Sequence, residues 1–390
     1  MNIINEDKEN ILNTYKRFPV VIKEGHGSTF VDYDGKEYID FSSGIGTNSF
    51  GACDNEWVEA VCNQAKTIQH TSNLYYTEPQ VKLAKLLCEK TGMKKVFFAN
   101  SGAETNECAI KTARKYSFDK YGMGRSKIIT LKNSFHGRTI ATLSATGQDV
   151  FHQYFYPFVG DFSYVTANDI DELNQNIDNT TCAIMIETVQ GEGGVNALDP
   201  EYIKYIDKVC KERDLVFIVD EVQTGNGRTG YLYSYMEYNV NPDVVTTAKG
   251  LAGGLPLGAI LFSEKVSKTL GYGEHGTTFG GNPICCSAGY SVLKRLNQDL
   301  FDHVLECRKI VEEKLTGKPG IKSISGKGMM VGIELNDNIK AIDVVNKCIE
   351  KGLIVLTAKT KVRLLPPLNI SIEELNKGLD IILESVGELL

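Results

Sequence analysis

Apolar and polar positions along this chain follow two alternating rhythms. Short continuous apolar runs bounded by turn residues occur at KKVFFAN, SKIITLK, CAIMIET, LVFIVD and DVVTTA. Runs of this length without polar alternation predict strands buried on both faces. Between them lie longer stretches with helical spacing, clearest in AETNECAIKTARKYSFDKYG and EYIKYIDKVCKERD. Strand and helix in turn predict an α/β fold with a mainly parallel central sheet. The two ends of the chain read differently. The opening VIKEGHGSTFVDYDGKEYIDF alternates and carries Asp34-Gly35, a hairpin signal. After GTTFGGNP the pattern is helical to Arg308, then places the strand-like MVGIEL and GLIVLT between further helices. The expected organisation is therefore a large domain over 51–285 and a smaller α+β domain assembled from 1–50 and 286–390.

Composition narrows the function. With 390 residues, 42% hydrophobic and 23% charged, the chain is neither disordered nor fibrous. Its net charge of −7 argues against nucleic acid as the main partner. No apolar run is long enough to span a bilayer, and the polar opening MNIINEDKENILNTYKRF lacks the pattern of a secretory signal. A cytoplasmic protein with no membrane partner is expected. The ten cysteines and six histidines form no CxxC or HExxH, so free thiols are expected and metal chemistry is not.

Several short stretches carry candidate chemistry. VVTTAKGLAGGLPLGA sets Lys249 between a buried strand end and a glycine-rich turn. An amine held there loses its proton more readily and becomes a nucleophile toward carbonyls, which raises Schiff-base chemistry. LVFIVDEVQTG puts Asp220 and Glu221 at a strand's carboxyl end, where open α/β sheets bind ligands. ANSGAETNE offers a phosphate-binding helix start at Ser101, Gly102 and Ala103; equally, Ser101 and Glu104 fit an ordinary capping box. SFHGRT groups Phe135, Gly137 and Arg138, an aromatic ring beside a carboxylate-binding guanidinium. ETVQGEGGV supplies Glu187 and Glu192, and KVRLLPPL supplies Arg363. GNGRTG (225–230) and GYGEHG (271–276) fit GxGxxG, but neither sits between a strand and a helix as a dinucleotide fingerprint must. Amine, phosphate turn, strand-end carboxylate and paired arginines together are the parts that pyridoxal phosphate chemistry requires.

Over nearly its whole length the chain resembles the class III (subgroup II) aminotransferases of pyridoxal-phosphate fold type I. The likeness rests on TTAKGLAGGLPLGA, DEVQTGNGRTG and GTTFGGNP. Within that class HTSNLYYTEPQ, SGAETNECAIKTARKY, FHGRT and IETVQGEGGV are most similar to acetylornithine aminotransferases. The resemblance implies pyridoxal 5'-phosphate bound through Lys249, with Asp220 on its ring nitrogen and Gln223 on its phenolic oxygen. Phe135 and Val222 are implied to flank the ring. Ser101, Gly102 and Ala103 would hold the phosphate, helped by Thr278 of a second subunit, so the active unit is expected to be a homodimer with shared sites. Arg138 is implied to anchor the α-carboxylate of 2-oxoglutarate or glutamate and Arg363 the other carboxylate. Glu192 would pair with Arg363 in one half-reaction, and Tyr15 would lie near the donor's carboxylate.

The implied reaction moves the δ-amino group of N2-acetylornithine to 2-oxoglutarate, giving N-acetylglutamate 5-semialdehyde and glutamate, a step of arginine biosynthesis. Ornithine, succinylornithine, succinyl-diaminopimelate and 4-aminobutyrate are the alternative donors. Outside the class stand a nicotinamide dehydrogenase and a non-catalytic binding protein. Two departures bear on the donor. Ala52-Cys53-Asp54-Asn55 stands where the class commonly reads His-Cys-His-Pro, and Thr188 stands where proline is common.

Overall fold

The computed structural model describes residues 3–390. At its centre is a seven-stranded sheet of Lys95–Ala99 (β1), Lys127–Leu131 (β2), Phe162–Val165 (β3), Thr181–Ile186 (β4), Val216–Asp220 (β5), Val244–Thr247 (β6) and Gly258–Phe262 (β7). Their spatial order is β1-β7-β6-β5-β4-β2-β3. The pairs from β3 through β6 are parallel, and β7 runs against both β6 and β1. Every residue of β4, β5, β6 and β7 is buried, as unbroken apolar runs require when helices cover both faces. Each fully buried Val, Leu or Ile contributes about 1.5–3 kcal/mol.

Five of these strands are the apolar runs of the sequence. Two are not. β3 is a half-buried edge strand. β7 lies in LPLGAILF, directly behind the glycine-rich turn that drew attention to Lys249.

The helix Gly102–Tyr121 follows β1 and presents Cys108, Ala109, Thr112 and Ala113 inward, small residues that let it lie close on the sheet. Ser101 caps it, its Oγ accepting from the Glu104 N–H at 3.2 Å. The reciprocal half of the expected capping box is displaced by one residue, because Glu104 Oε2 accepts from the backbone and side-chain N–H of Asn100, at 2.6 and 2.9 Å.

The ends of the chain meet. Ile22–His26, Thr29–Asp32 and Glu37–Asp40 form an antiparallel set, and Leu353–Ile354 adds to Glu37–Asp40 in parallel. Gly35 takes the left-handed φ of 83° that the Asp34-Gly35 turn needs, and Asp32 Oδ1 accepts from the N–H groups of Asp34 and Lys36, both at 2.9 Å. A second four-stranded sheet runs Ile321–Lys327, Met330–Leu335, Lys361–Leu364, Leu356–Ala358. Phe41, fully buried, fills the space that a Cβ at Gly378 of helix Ile372–Gly387 would occupy.

Both sequence departures find local partners. Asp54 caps helix Asn55–Thr67 through the Trp57 N–H at 3.0 Å. It also takes Arg295 in a two-pronged ion pair at 2.7 and 3.0 Å. Trp57 Nε1 in turn donates to Ala252 O at 2.8 Å, bracing the turn after Lys249. The Thr188 hydroxyl is buried against Ser234 Oγ at 2.5 Å. Among the described residues, no helix is long and apolar enough to cross a membrane.

Candidate active site

The carboxyl ends of β1, β2, β4, β5 and β6 open onto one cavity of about 430 Å³. Five loops leave that edge, each carrying one of the stretches singled out in the sequence, which is why residues far apart in the chain converge.

Asp220 closes β5 and is 4% exposed. Its Oδ2 accepts from Asn106 Nδ2 at 2.7 Å and from His136 Nδ1 at 2.8 Å, and its Oδ1 accepts from the Val222 N–H at 3.0 Å. Asn106 also donates to His136 O at 2.8 Å. The carboxylate is thus fixed in place and its free lone pairs face the cavity. Sequence reasoning missed Asn106 and His136. Asn106 hides inside a regular helix, and His136 stood within the quoted SFHGRT beside the more conspicuous arginine.

Lys249 stands across the cavity, at a left-handed φ of 40°. Among the described residues its ammonium forms no ion pair. Burial of the amine pushes its pKa below the usual lysine range; the Arg363 charge adds to this, while Glu192, Asp220 and Glu187 oppose it. Asn226 holds the preceding strand end, donating from Nδ2 to Thr247 Oγ1 at 3.0 Å and Ala248 O at 3.1 Å.

Arg363 is 4% exposed and its Nη1 meets Glu192 Oε1 at 2.5 Å. Gln223 bridges the two, donating to Glu192 Oε1 at 3.2 Å and accepting from Arg363 Nη1 at 3.3 Å. Burial pushes the Glu192 carboxyl up, but the Arg363 charge and hydrogen bond, with Lys249 and Gln223, outweigh it and hold the group below the usual carboxylate range. Glu187 is nearby and differs: burial pushes its pKa up to about 7, helped by the Asp220 charge, against His136 and the N–H groups of Phe135 and Gly191.

The remaining predicted residues divide. Ser101, Gly102, Ala103, Phe135, Val222 and Arg138 line the cavity. Gly102 packs so closely on Val222 that a Cβ there would lie 2.6 Å from Val222 Cγ1. Arg138 is exposed, and its guanidinium lies 3.9 Å from the centre of the Phe151 ring. Arg363, Thr278 and Tyr15 do not line this cavity; Arg363 contacts it through Glu192 and Gln223, which do. Thr278 is exposed outside it. Tyr15 is 75% exposed in a segment with little packing, with the Arg17 guanidinium 5.6 Å from its ring centre. The two GxGxxG stretches are turns with no helix opening at the third glycine.

A family model described as aminotransferase class-III matches residues 11–386. The chain belongs to the class-III aminotransferases. An acetylornithine aminotransferase of Haemophilus ducreyi is 50% identical over 98% of both chains. Another from Methanocaldococcus jannaschii is 46% identical, over 96% of this chain and 95% of that one. Among solved structures, an ornithine aminotransferase of Toxoplasma gondii with partial occupancy of PLP at its active site matches with a TM-score of 0.94. That protein is 32% identical, over 99% of this chain and 94% of its own. The fold is accordingly pyridoxal-phosphate fold type I, and the cofactor of a class-III aminotransferase is pyridoxal phosphate.

The residues present fit that cofactor. The N–H groups of Gly102 and Ala103 lie in the first helical turn, where no intrahelical acceptor exists, and suit a phosphate dianion. Asp220 suits a protonated ring nitrogen. The unpaired amine of Lys249 suits an aldehyde.

Proposed function

We propose that this class-III aminotransferase moves the δ-amino group of N2-acetylornithine to 2-oxoglutarate, giving N-acetylglutamate 5-semialdehyde and glutamate, the transfer used in arginine biosynthesis. The observation that carries this reading is the ion pair of Arg363 with Glu192 at 2.5 Å. An amino donor whose reacting end carries an ammonium and no carboxylate needs the Arg363 guanidinium to be neutralised. A dicarboxylate acceptor needs it free. A pair that opens and closes serves both.

Bound pyridoxal phosphate supplies an electron-withdrawing ring that stabilises negative charge at the carbon losing its proton. Lys249 removes and returns that proton, a task suited to an amine whose pKa burial has lowered. Asp220, held by Asn106, His136 and the Val222 N–H, keeps a positive charge at the ring nitrogen. Phe135 and Val222, which line the cavity, would flank the ring. Ser101, Gly102 and Ala103 would hold the phosphate at the helix start.

Arg363 is buried and its charge acts on Lys249, whereas Arg138 is exposed where it lines the cavity. That favours Arg363 for the carboxylate next to the reacting carbon of glutamate or 2-oxoglutarate, and Arg138 for the distant one, the reverse of the order implied by resemblance.

We further infer a homodimer in which Thr278 of a second copy completes the phosphate site. Exposed Tyr76 and Phe279 beside it support an apolar contact. Ten free thiols accord with a reducing, cytoplasmic setting.

The test is the visible spectrum of the purified protein mixed with N2-acetylornithine and no keto acid. Loss of the yellow band with N2-acetylornithine, faster than with ornithine or 4-aminobutyrate, supports the donor. An unmoved band with N2-acetylornithine overturns it.

A further inference from the structure

The GNGRTG turn opens no helix at its third glycine, yet its arginine is among the most deeply buried charges of the described residues. Arg228 is 2% exposed. Among the described residues it forms no ion pair; burial pushes the guanidinium down to about 9, opposed by the charge of Asp40. A buried guanidinium is costly unless its donors are used well. Arg228 Nη1 donates to Pro366 O and, at 3.3 Å, to Met329 O. The backbone seals the contact: the Met329 N–H donates to Arg228 O at 3.0 Å. Gly328 can carry no side chain there, since a Cβ would fall 2.6 Å from Arg228 O.

These two carbonyls are not arbitrary. Met329 precedes strand Met330–Leu335 and Pro366 follows strand Lys361–Leu364, and the two strands pair through Val331 with Leu364 and Gly332 with Arg363. Arg228 therefore ties the open end of the ladder whose second rung carries Arg363. The same turn carries Gln223, which bridges Arg363 and Glu192, and Asn226, which holds the backbone before Lys249. One short segment thus reaches both the amine and the guanidinium.

We propose that Arg228 is a positioning residue for Arg363: by pinning Met329 O and Pro366 O to the turn that bears Gln223, it fixes the reach of the Arg363 guanidinium and so the enzyme's affinity for dicarboxylates. This rests on the reading of Arg363 as the group that meets a substrate carboxylate. Arg228 touches no substrate or cofactor. Its loss loosens the strand that Arg363 rides on and leaves the carboxylate site at Arg138 in place.

The experiment measures binding of two unreactive acids to the cofactor-loaded enzyme by calorimetry: glutarate, which needs both guanidiniums, and valerate, which needs one. Arg228→Gln is expected to weaken glutarate about tenfold or more and valerate less than about threefold, the scale of losing a charged hydrogen-bonding group. Arg228→Lys keeps the charge and the stem and is expected to recover part of the glutarate affinity; it is also the variant to read should Arg228→Gln not fold. Arg363→Gln serves as the control. If it leaves glutarate affinity unchanged, the reading of Arg363 is wrong. If Arg363→Gln weakens glutarate but neither Arg228 variant does, or if both acids weaken alike in the Arg228 variants, the positioning role is overturned.

Discussion

Removing the Glu192 carboxylate is the most informative perturbation of the site. In Glu192→Ala, Arg363 loses the one carboxylate it is paired with among the described residues, a contact of 2.5 Å with the guanidinium nearly buried. A hydrogen bond to a charged group contributes about 1.5–3 kcal/mol. A dicarboxylate must displace Glu192 to reach Arg363, so that free energy opposes acceptor binding in the native enzyme. Abolishing it should strengthen 2-oxoglutarate binding on the order of 10- to 150-fold. Gln223 still accepts from Arg363 at 3.3 Å, which places the expectation at the lower end, roughly tenfold. The donor half-reaction moves the other way, because an incoming ammonium then meets an uncompensated guanidinium. Stopped-flow absorbance with each substrate alone separates the two. The variant also carries a proton signature: Glu192 is the charge that does most to oppose the lowered pKa of Lys249, so its removal lowers that pKa further. Labelling of Lys249 in cofactor-free protein as a function of pH reads this directly. A variant that keeps the wild-type ratio of acceptor to donor rates, or shifts it toward the donor, would refute the gating argument.

Three further expectations follow from the geometry. Gly102→Ala puts a Cβ 2.6 Å from Val222 Cγ1 and should weaken cofactor affinity about tenfold or more, measured by titrating pyridoxal phosphate into stripped protein. Glu221 is buried and desolvation raises its pKa to about 7, against hydrogen bonds from Thr224, Tyr235 and Ser234. Because the folded value lies above the unfolded one, folding takes up a proton in the window between them, and stability falls as pH rises from about 4.5 to about 7. Glu221→Gln removes that slope, so its thermal midpoint should gain on wild type between acid and neutral pH, and a constant difference would contradict the assignment. Asp54→Ala loses a helix cap and the two-pronged Arg295 contact, and should cost about 1–3 kcal/mol in urea unfolding. No loss would mean the departure at this position is structurally idle.

Legibility in the sequence followed burial. Unbroken apolar runs such as CAIMIET and LVFIVD became central strands, because nothing but a doubly covered sheet satisfies them. The edge strand Phe162–Val165 alternates only weakly and was not expected, and Gly258–Phe262 was hidden because the glycines before it read as turn. The amine, the strand-end carboxylate and the phosphate turn were legible because each is costly where it stands unless it is used. Asn106 and His136 were not, since an asparagine inside a helix and a histidine in a loop have ordinary explanations until Asp220 is placed between them. The bridging of Glu192 and Arg363 by Gln223 spans three distant segments, and no local spacing encodes such a contact.

The reversed strand β7 gives the site a built-in ruler. It pairs with β6, whose end leads into Lys249, and with β1, whose end leads into Ser101, with Gly258 facing Ala99. Lysine and phosphate turn are thereby set two ladder spacings apart, about 10 Å, by backbone hydrogen bonds rather than by any side chain. Lengthening the loop to β7 beyond Ala252, after the turn that carries Lys249, would leave that interval untouched. A slip of one residue at Gly258, where a Cβ would strike Thr105 and the Ser101 carbonyl, would change it at once.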